Sequence, residues 1–113
     1  MGYRLVVLPQ AEADIAEVFL YLNLRSPEAA ERWYRTVKLE IGTLTEWPSR
    51  CPLARESEQL GFELRQLLHG KKPSVYRIIF RVVEENKAVH VLAVRHGARL
   101  QMTDEELTSF LEL

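Results

Sequence analysis

The spacing of apolar residues changes along this chain, and each change of period marks an element. Residues 3–8 form a short apolar run with strand character, closed by Pro9, which has no N–H to give to a ladder. From Gln10 the period lengthens. Ile15, Val18, Phe19 and Leu22 recur at i, i+3, i+4 and i+7, with Glu12, Asp14 and Glu17 off that stripe, which predicts an amphipathic helix. Ser26-Pro27-Glu28 then starts a second one: a capping hydroxyl, a proline suited to the first helical position, and a carboxylate that complements the dipole. Its apolar stripe is Ala30, Trp33, Val37, Ile41 and Leu44, and Pro48 stops it just after Trp47. So short a connection predicts antiparallel neighbours, a helical hairpin.

Residues 49–58 lose all periodicity and read as a loop. Beyond it the period becomes two. Phe62 and Leu64 alternate with Glu63 and Arg65 in a strand running to about Leu68, and residues 69–74 carry turn chemistry. Residues 75–83 are the strongest strand signal, with Tyr76, Ile78, Phe80 and Val82 on one side and Arg77, Ile79 and Arg81 on the other. Glu85-Asn86 turns the chain into a last strand over 89–94, and a short capped helix begins near Thr103. Hairpin-length connections make the last three strands an antiparallel meander. The predicted fold is α+β, a β-α-α-β-β-β(-α) sandwich in one domain over residues 1–113. Its N-terminal helical hairpin packs on one face of a small, mainly antiparallel sheet, and the arginines lie on the other face.

Composition narrows the class. At 113 residues, 47% hydrophobic and 27% charged, the chain suits one ordinary globular core and neither a disordered nor a fibrous protein. The lone Cys51 excludes an internal disulfide and a cysteine-based zinc site and fits a reducing compartment. The N-terminal apolar run is too short for a membrane span or a signal-peptide core, so a cytoplasmic location is expected. Net charge is −1, but residues 65–99 hold eight Lys or Arg against two Glu, leaving +6 there and −7 elsewhere. Such polarity can present a positive field to an anionic partner.

The candidate chemistry lies in that basic window. Arg77 and Arg81 fall four residues apart on one strand, hence on one face and about 13 Å apart, and Arg65 of the preceding strand can join them. Guanidinium forks there suit phosphates or an acidic segment, the alternative being pairing with helix or tail carboxylates. Arg95, His96 and Arg99 flank Gly97-Ala98 as a second contacting corner, where His96 has the chemistry to move protons near neutral pH. His69-Gly70-Lys71-Lys72 makes a basic hairpin tip, with Gly70 at a positive φ. His90 reads as structural, and Trp33 and Trp47 read as core. The three histidines lack metal-ligand spacing, and no phosphate loop is present, so no metal and no cofactor are expected.

Taken in order, several fragments resemble the RelE/ParE superfamily of toxins from type II toxin–antitoxin modules, often called plasmid stabilisation proteins. They are Tyr3-Arg4-Leu5-Val6-Val7, Ala11-Glu12-Ala13-Asp14-Ile15, Ser26-Pro27-Glu28-Ala29-Ala30, Leu64-Arg65-Gln66-Leu67-Leu68-His69-Gly70, Tyr76-Arg77-Ile78-Ile79-Phe80-Arg81-Val82, and Val91-Leu92-Ala93-Val94-Arg95-His96-Gly97-Ala98-Arg99. The resemblance spans nearly the whole chain, and the long hairpin and the last strand are closer to the ParE branch. It implies a cytoplasmic growth inhibitor neutralised by a cognate antitoxin, possessing a single toxin domain, with DNA gyrase as the target and no chemistry of its own. A homodimer or a toxin–antitoxin heterotetramer is compatible with it. The alternatives it implies are a RelE-like ribosome-dependent mRNA endonuclease and a degenerate member that still binds antitoxin. RelE-like enzymes use Arg, Lys and usually a C-terminal Tyr; here no tyrosine follows Tyr76. A nuclease would therefore rest on Arg65, Arg81, His96 and Arg99, and a binding surface on Arg65, Arg77, Arg81, Arg95 and Arg99.

Overall fold

The computed structural model of the protein describes residues 2–98 and 103–111. Its spine is β3 (Tyr76–Val83), which pairs antiparallel with β2 (Arg65–His69) on one side and with β4 (Ala88–His96) on the other. β1 (Arg4–Val7) lies parallel to β4, giving the order β1-β4-β3-β2. The expected meander and mixed α+β class are both present. The free side of β2 is partly covered by residues 52–54, where the Gln66 N–H donates to the Pro52 carbonyl and the Ala54 N–H to Leu64.

The hairpin forms for the reasons its sequence suggests. α1 (Pro9–Asn23) begins with proline at its first position, and α2 (Pro27–Gly42) begins where the Ser26 hydroxyl accepts the Ala29 N–H at 3.2 Å. Asp14 docks α1 on the sheet: past the end of β1, its carboxylate takes the Val94 N–H at 2.9 Å. His69 ties α2 to β2. The Thr36 hydroxyl and His69 Nε2 are hydrogen-bonded at 3.1 Å, and Nδ1 lies 3.3 Å from the Glu40 carboxylate. His69 is thus a buried strand residue, and the turn begins only at Gly70, whose φ of 100° is needed because a Cβ would meet the Ser74 carbonyl at 2.4 Å.

After α2 the chain takes two tight 3-10 turns, Thr43–Thr45 and Pro48–Arg50. Between them Trp47 adopts φ 45° and stands 71% exposed, which corrects its assignment to the core. The left-handed backbone there turns the indole outward. Trp33 does pack inward, edge-on to Tyr76 at 5.2 Å.

Both faces of the sheet are covered. On one, Ile15, Val37, Ile41 and Leu44 of the helical layer meet Ile78, Phe80, Val89, Val91 and Val94. On the other, Leu64, Ile79, Leu92 and Ala93 meet Leu107 of α4 (Asp104–Leu111) and, at the margin, Leu60 of the single-turn α3 (Ser57–Leu60). A β-bulge serves both cores. Ile79 pairs with Ala93 but Phe80 with Val91, so Leu92 is an extra residue, and the facing side of β4 switches from odd to even positions. Consecutive Leu92 and Ala93 thereby enter the same core.

Phe80 is fully buried at the centre of the helical face. Phe80→Ala is expected to cost about 3–5 kcal/mol, and Ser26→Ala about 1 kcal/mol, in urea denaturation monitored by circular dichroism. Equal costs for the two would contradict this packing.

Candidate functional site

The face expected to hold open arginines is closed, and the register explains how. Arg77 of β3 lies directly opposite Arg95 of β4 and beside Leu68 of β2. Like charges facing each other across strands repel, and here apolar Ile79, Leu92 and Leu107 cover the same face. Each guanidinium is therefore met by its own carboxylate. Arg77 makes a two-pronged pair with Glu56, with N–O distances of 2.6 and 3.1 Å, and its Nε donates to Gln66 at 3.0 Å. Arg95 donates to Glu106 of α4. Arg77 is only 4% exposed and Arg95 6%.

Local structure brings the acids into place. Glu56 is held in the loop before β2, where the Ser57 hydroxyl donates to the Phe62 carbonyl and accepts the Leu64 N–H. Glu106 belongs to a capping box: Thr103 Oγ1 accepts the Glu106 N–H at 3.2 Å, and the Glu106 carboxylate accepts the Thr103 N–H at 3.0 Å. That backbone N–H, and then Arg95, hold the Glu106 carboxyl below its ordinary 4.5.

The other sequence-derived candidates separate. Arg65 pairs in register with Phe80, so it sits on the helical face, opposite to Arg77 and Arg81. It cannot join them; it donates to the Cys51 carbonyl at 2.6 Å and pairs with exposed Glu63 at 3.1 Å. Arg81 is half-buried, its guanidinium 4.1 Å above the Phe62 ring and opposite His90. Arg99 lies outside the described residues. Cys51 is buried, and burial raises its thiol above the ordinary 9.0 against the opposing pull of Arg50 and Arg65, so it has no nucleophile's character.

What remains open is a cleft of about 500 Å³ at the β2–β3 turn, between exposed Arg55 and Lys72, with Leu68, Val75 and His96 in its walls and the Arg77 side chain at its base. The close approach that shapes it is the Gly97 N–H on the Val75 carbonyl at 2.7 Å; a Cβ on Gly97 would press that carbonyl at 3.1 Å. His96 Nδ1 accepts the Ala98 N–H at 3.0 Å, which leaves Nε2 as the ring's other nitrogen. The same ring stacks edge-on to Tyr76 at 5.2 Å and walls a second cleft, about 520 Å³, beneath Tyr21 and Arg25 of α1. Burial raises the Tyr76 phenol above its ordinary 10.0. Sequence reasoning missed Arg55, Glu56 and Glu106 as site residues; only the T-x-x-E spacing of Thr103 and Glu106 signalled any of them. Among the described residues no group of three or more His, Cys, Asp or Glu is placed to hold a metal ion.

Two outcomes follow from the paired row. Glu56→Ala leaves a buried cation alone and is expected to cost about 3–5 kcal/mol by urea unfolding, whereas Glu63→Ala, at an exposed pair, costs under about 1 kcal/mol. The Glu106 pair is lost on acidification: its contribution is complete above about pH 4.5 and falls away as pH drops through the lowered folded value. Hydrogen exchange in α4 should accelerate across that window in the wild type and change less in Glu106→Gln.

The family model for the ParE toxin of type II toxin–antitoxin system parDE matches residues 5–101. Solved structures that share the fold include three toxins or toxin complexes. The chromosomal ParDE system of P. aeruginosa matches with a TM-score of 0.66 at 20% identity, covering 84% of this chain and 96% of that one. A mutant of the E. coli toxin RelE in the free state matches at 0.60 and 17% identity, covering 99% and 97%. The toxin–antitoxin complex RelBE2 of Mycobacterium tuberculosis matches at 0.55 and 22%, covering 85% and 99%. No curated protein matches the chain significantly.

Proposed function

The chain belongs to the ParE toxin family of type II toxin–antitoxin systems, and from that membership we propose that it is a cytoplasmic, single-domain inhibitor of DNA gyrase, acting by binding and neutralised by a cognate antitoxin. The observation that carries this reading is the separation of the basic residues a nuclease would draw on: Arg65 lies on the helical face, held by the Cys51 carbonyl and Glu63, while Arg81 is stacked on Phe62 on the other face. Arg77 and Arg95 are spent on Glu56 and Glu106 inside the fold, so they leave the binding surface as well. An RNA-cleaving site needs cations free to meet charge developing on a phosphate, together with a placed acid and base. The chain also has no tyrosine after Tyr76. A surface that only binds needs none of these.

The antitoxin part of the proposal rests on what stays open. Arg55 and Lys72 rim a cleft with apolar walls, among them the exposed Leu68. A segment with apolar anchors and carboxylates matches that surface in both respects. Two of the structural neighbours carry antitoxins in their names, ParDE and RelBE2.

A second reading, ribosome-dependent cleavage of mRNA, has one observation in its favour: His96 lies in the same cleft as Arg55 and Lys72. It would draw on Arg65, Arg81, His96 and Arg99. Purified protein added to a gyrase supercoiling assay and to a ribosome translating a defined message separates the two. Lost supercoiling with intact message is expected, and His96→Ala should change that inhibition by less than about twofold. Cut message with unaffected supercoiling would overturn the proposal in favour of the nuclease. Harmless expression without antitoxin, and activity in neither assay, would leave a member that binds antitoxin and poisons nothing.

A further inference from the structure

One turn of the chain presents a large apolar side chain that the fold itself does not use. Trp47 joins the two 3-10 turns at φ 45° and ψ 59°, in the left-handed region that bulky L residues avoid. It also precedes Pro48, and a residue before proline is normally pushed to extended backbone. Glycine or asparagine would take this conformation with less strain. Nothing inside the chain offsets that strain through the indole. It is 71% exposed and lies outside both apolar cores, and among the described residues no hydrogen bond or ring contact reaches it.

The turn around it is nevertheless firmly held. Buried Leu44, Pro48 and Cys51 fix it on both sides. The Arg50 guanidinium donates to the Glu46 carbonyl at 2.9 Å, the Trp47 carbonyl at 3.2 Å and Thr43 Oγ1 at 2.9 Å, so it grips the backbone at and before the left-handed residue. An exposed aromatic on a preorganised backbone suits an interface anchor, because little freedom remains to be lost on binding. The turn lies at the far end of the sheet from the Arg55–Lys72 cleft. The Tyr3 N–H donates to the Thr45 carbonyl and the Arg4 N–H to the Lys87 carbonyl, so β1 links it to the β3–β4 turn. The cleft is at the Tyr76 end of β3, roughly 23 Å away along that strand. Exposed Arg4 and Arg50 belong to the same corner as Trp47.

We infer that Trp47 is the anchor by which the chain docks on its target. The inference rests on the gyrase reading: the indole enters an apolar slot of that enzyme, whose rim carboxylates face Arg4 and Arg50. Trp47→Asn tests it on the full chain, because asparagine accepts left-handed backbone. The variant should melt within about 2 °C of the wild type or above it, while the concentration that half-inhibits gyrase supercoiling rises at least about tenfold. Hydroxyl-radical footprinting read by mass spectrometry reports the contact itself. Trp47 should oxidise readily in the free chain and be protected when purified gyrase is added, with the inward-packed Trp33 as internal reference. A variant that inhibits as the wild type does, or a Trp47 that stays oxidisable in the gyrase complex, would overturn the anchor and leave the gyrase reading standing. A marked fall in the variant's melting temperature would do the same, by making the side chain structural. A wild-type chain that neither binds nor inhibits gyrase would overturn both.

Discussion

The pairing of Arg77 against Arg95 across the centre of the sheet is the constraint on which the rest of the structure depends. Two guanidinium groups cannot face each other on a covered β-surface without anions beside them. The chain supplies one from each flank in sequence, Glu56 ahead of β2 and Glu106 from the C-terminal helix. Satisfying that requirement draws the loop before β2 and α4 onto the sheet. Leu64 and Leu107 then close a second apolar core that the strand pattern alone does not call for. A buried ion pair is weak as a source of net stability, but it is strict about geometry. Here it fixes where two otherwise weakly specified segments must lie.

Closing that face changes what the protein offers to partners. An open cationic floor would act through its summed field on any polyanion. The observed surface is more selective: a cleft rimmed by Arg55 and Lys72, a stacked Arg81 beside Phe62, and an outer α2 face on which Glu28 and Glu31 precede Arg35 and Lys38. These features suit recognition of shaped protein surfaces better than capture of a phosphate chain. The separation of Arg65 onto the helical face removes a further member from any shared anion site.

The helical layer and the sheet meet through polar contacts as well as apolar ones. Asp14 takes a strand N–H that β1 is too short to reach, and His69 bridges two groups of α2. Both lie near the end of the sheet where the two clefts share His96 as a wall. The rigid attachment of the hairpin and the shape of the candidate site are therefore set by the same end of β3 and β4.

Much of the architecture was legible in local pattern. The apolar stripes of α1 and α2, the Ser26-Pro27 start, the alternation through β3 and the turn at Gly70 each depend on neighbours within a few residues, and each element formed where that pattern put it. Trp47 was misread because an aromatic beside a helical stripe says nothing of the left-handed turn that points it outward. The arginines were misread for a related reason. Alternation assigns a side of the strand, and it correctly set Arg77 apart from Ile78, but it carries no information about what covers that side. The sequence by itself determined the elements, their order and the faces of β3, because those follow from periodicity. Only the tertiary structure decided that Arg65 and Arg77 lie on opposite faces, and that Arg77 and Arg95 are neutralised instead of exposed, because register and long-range carboxylates act between residues that no local pattern connects.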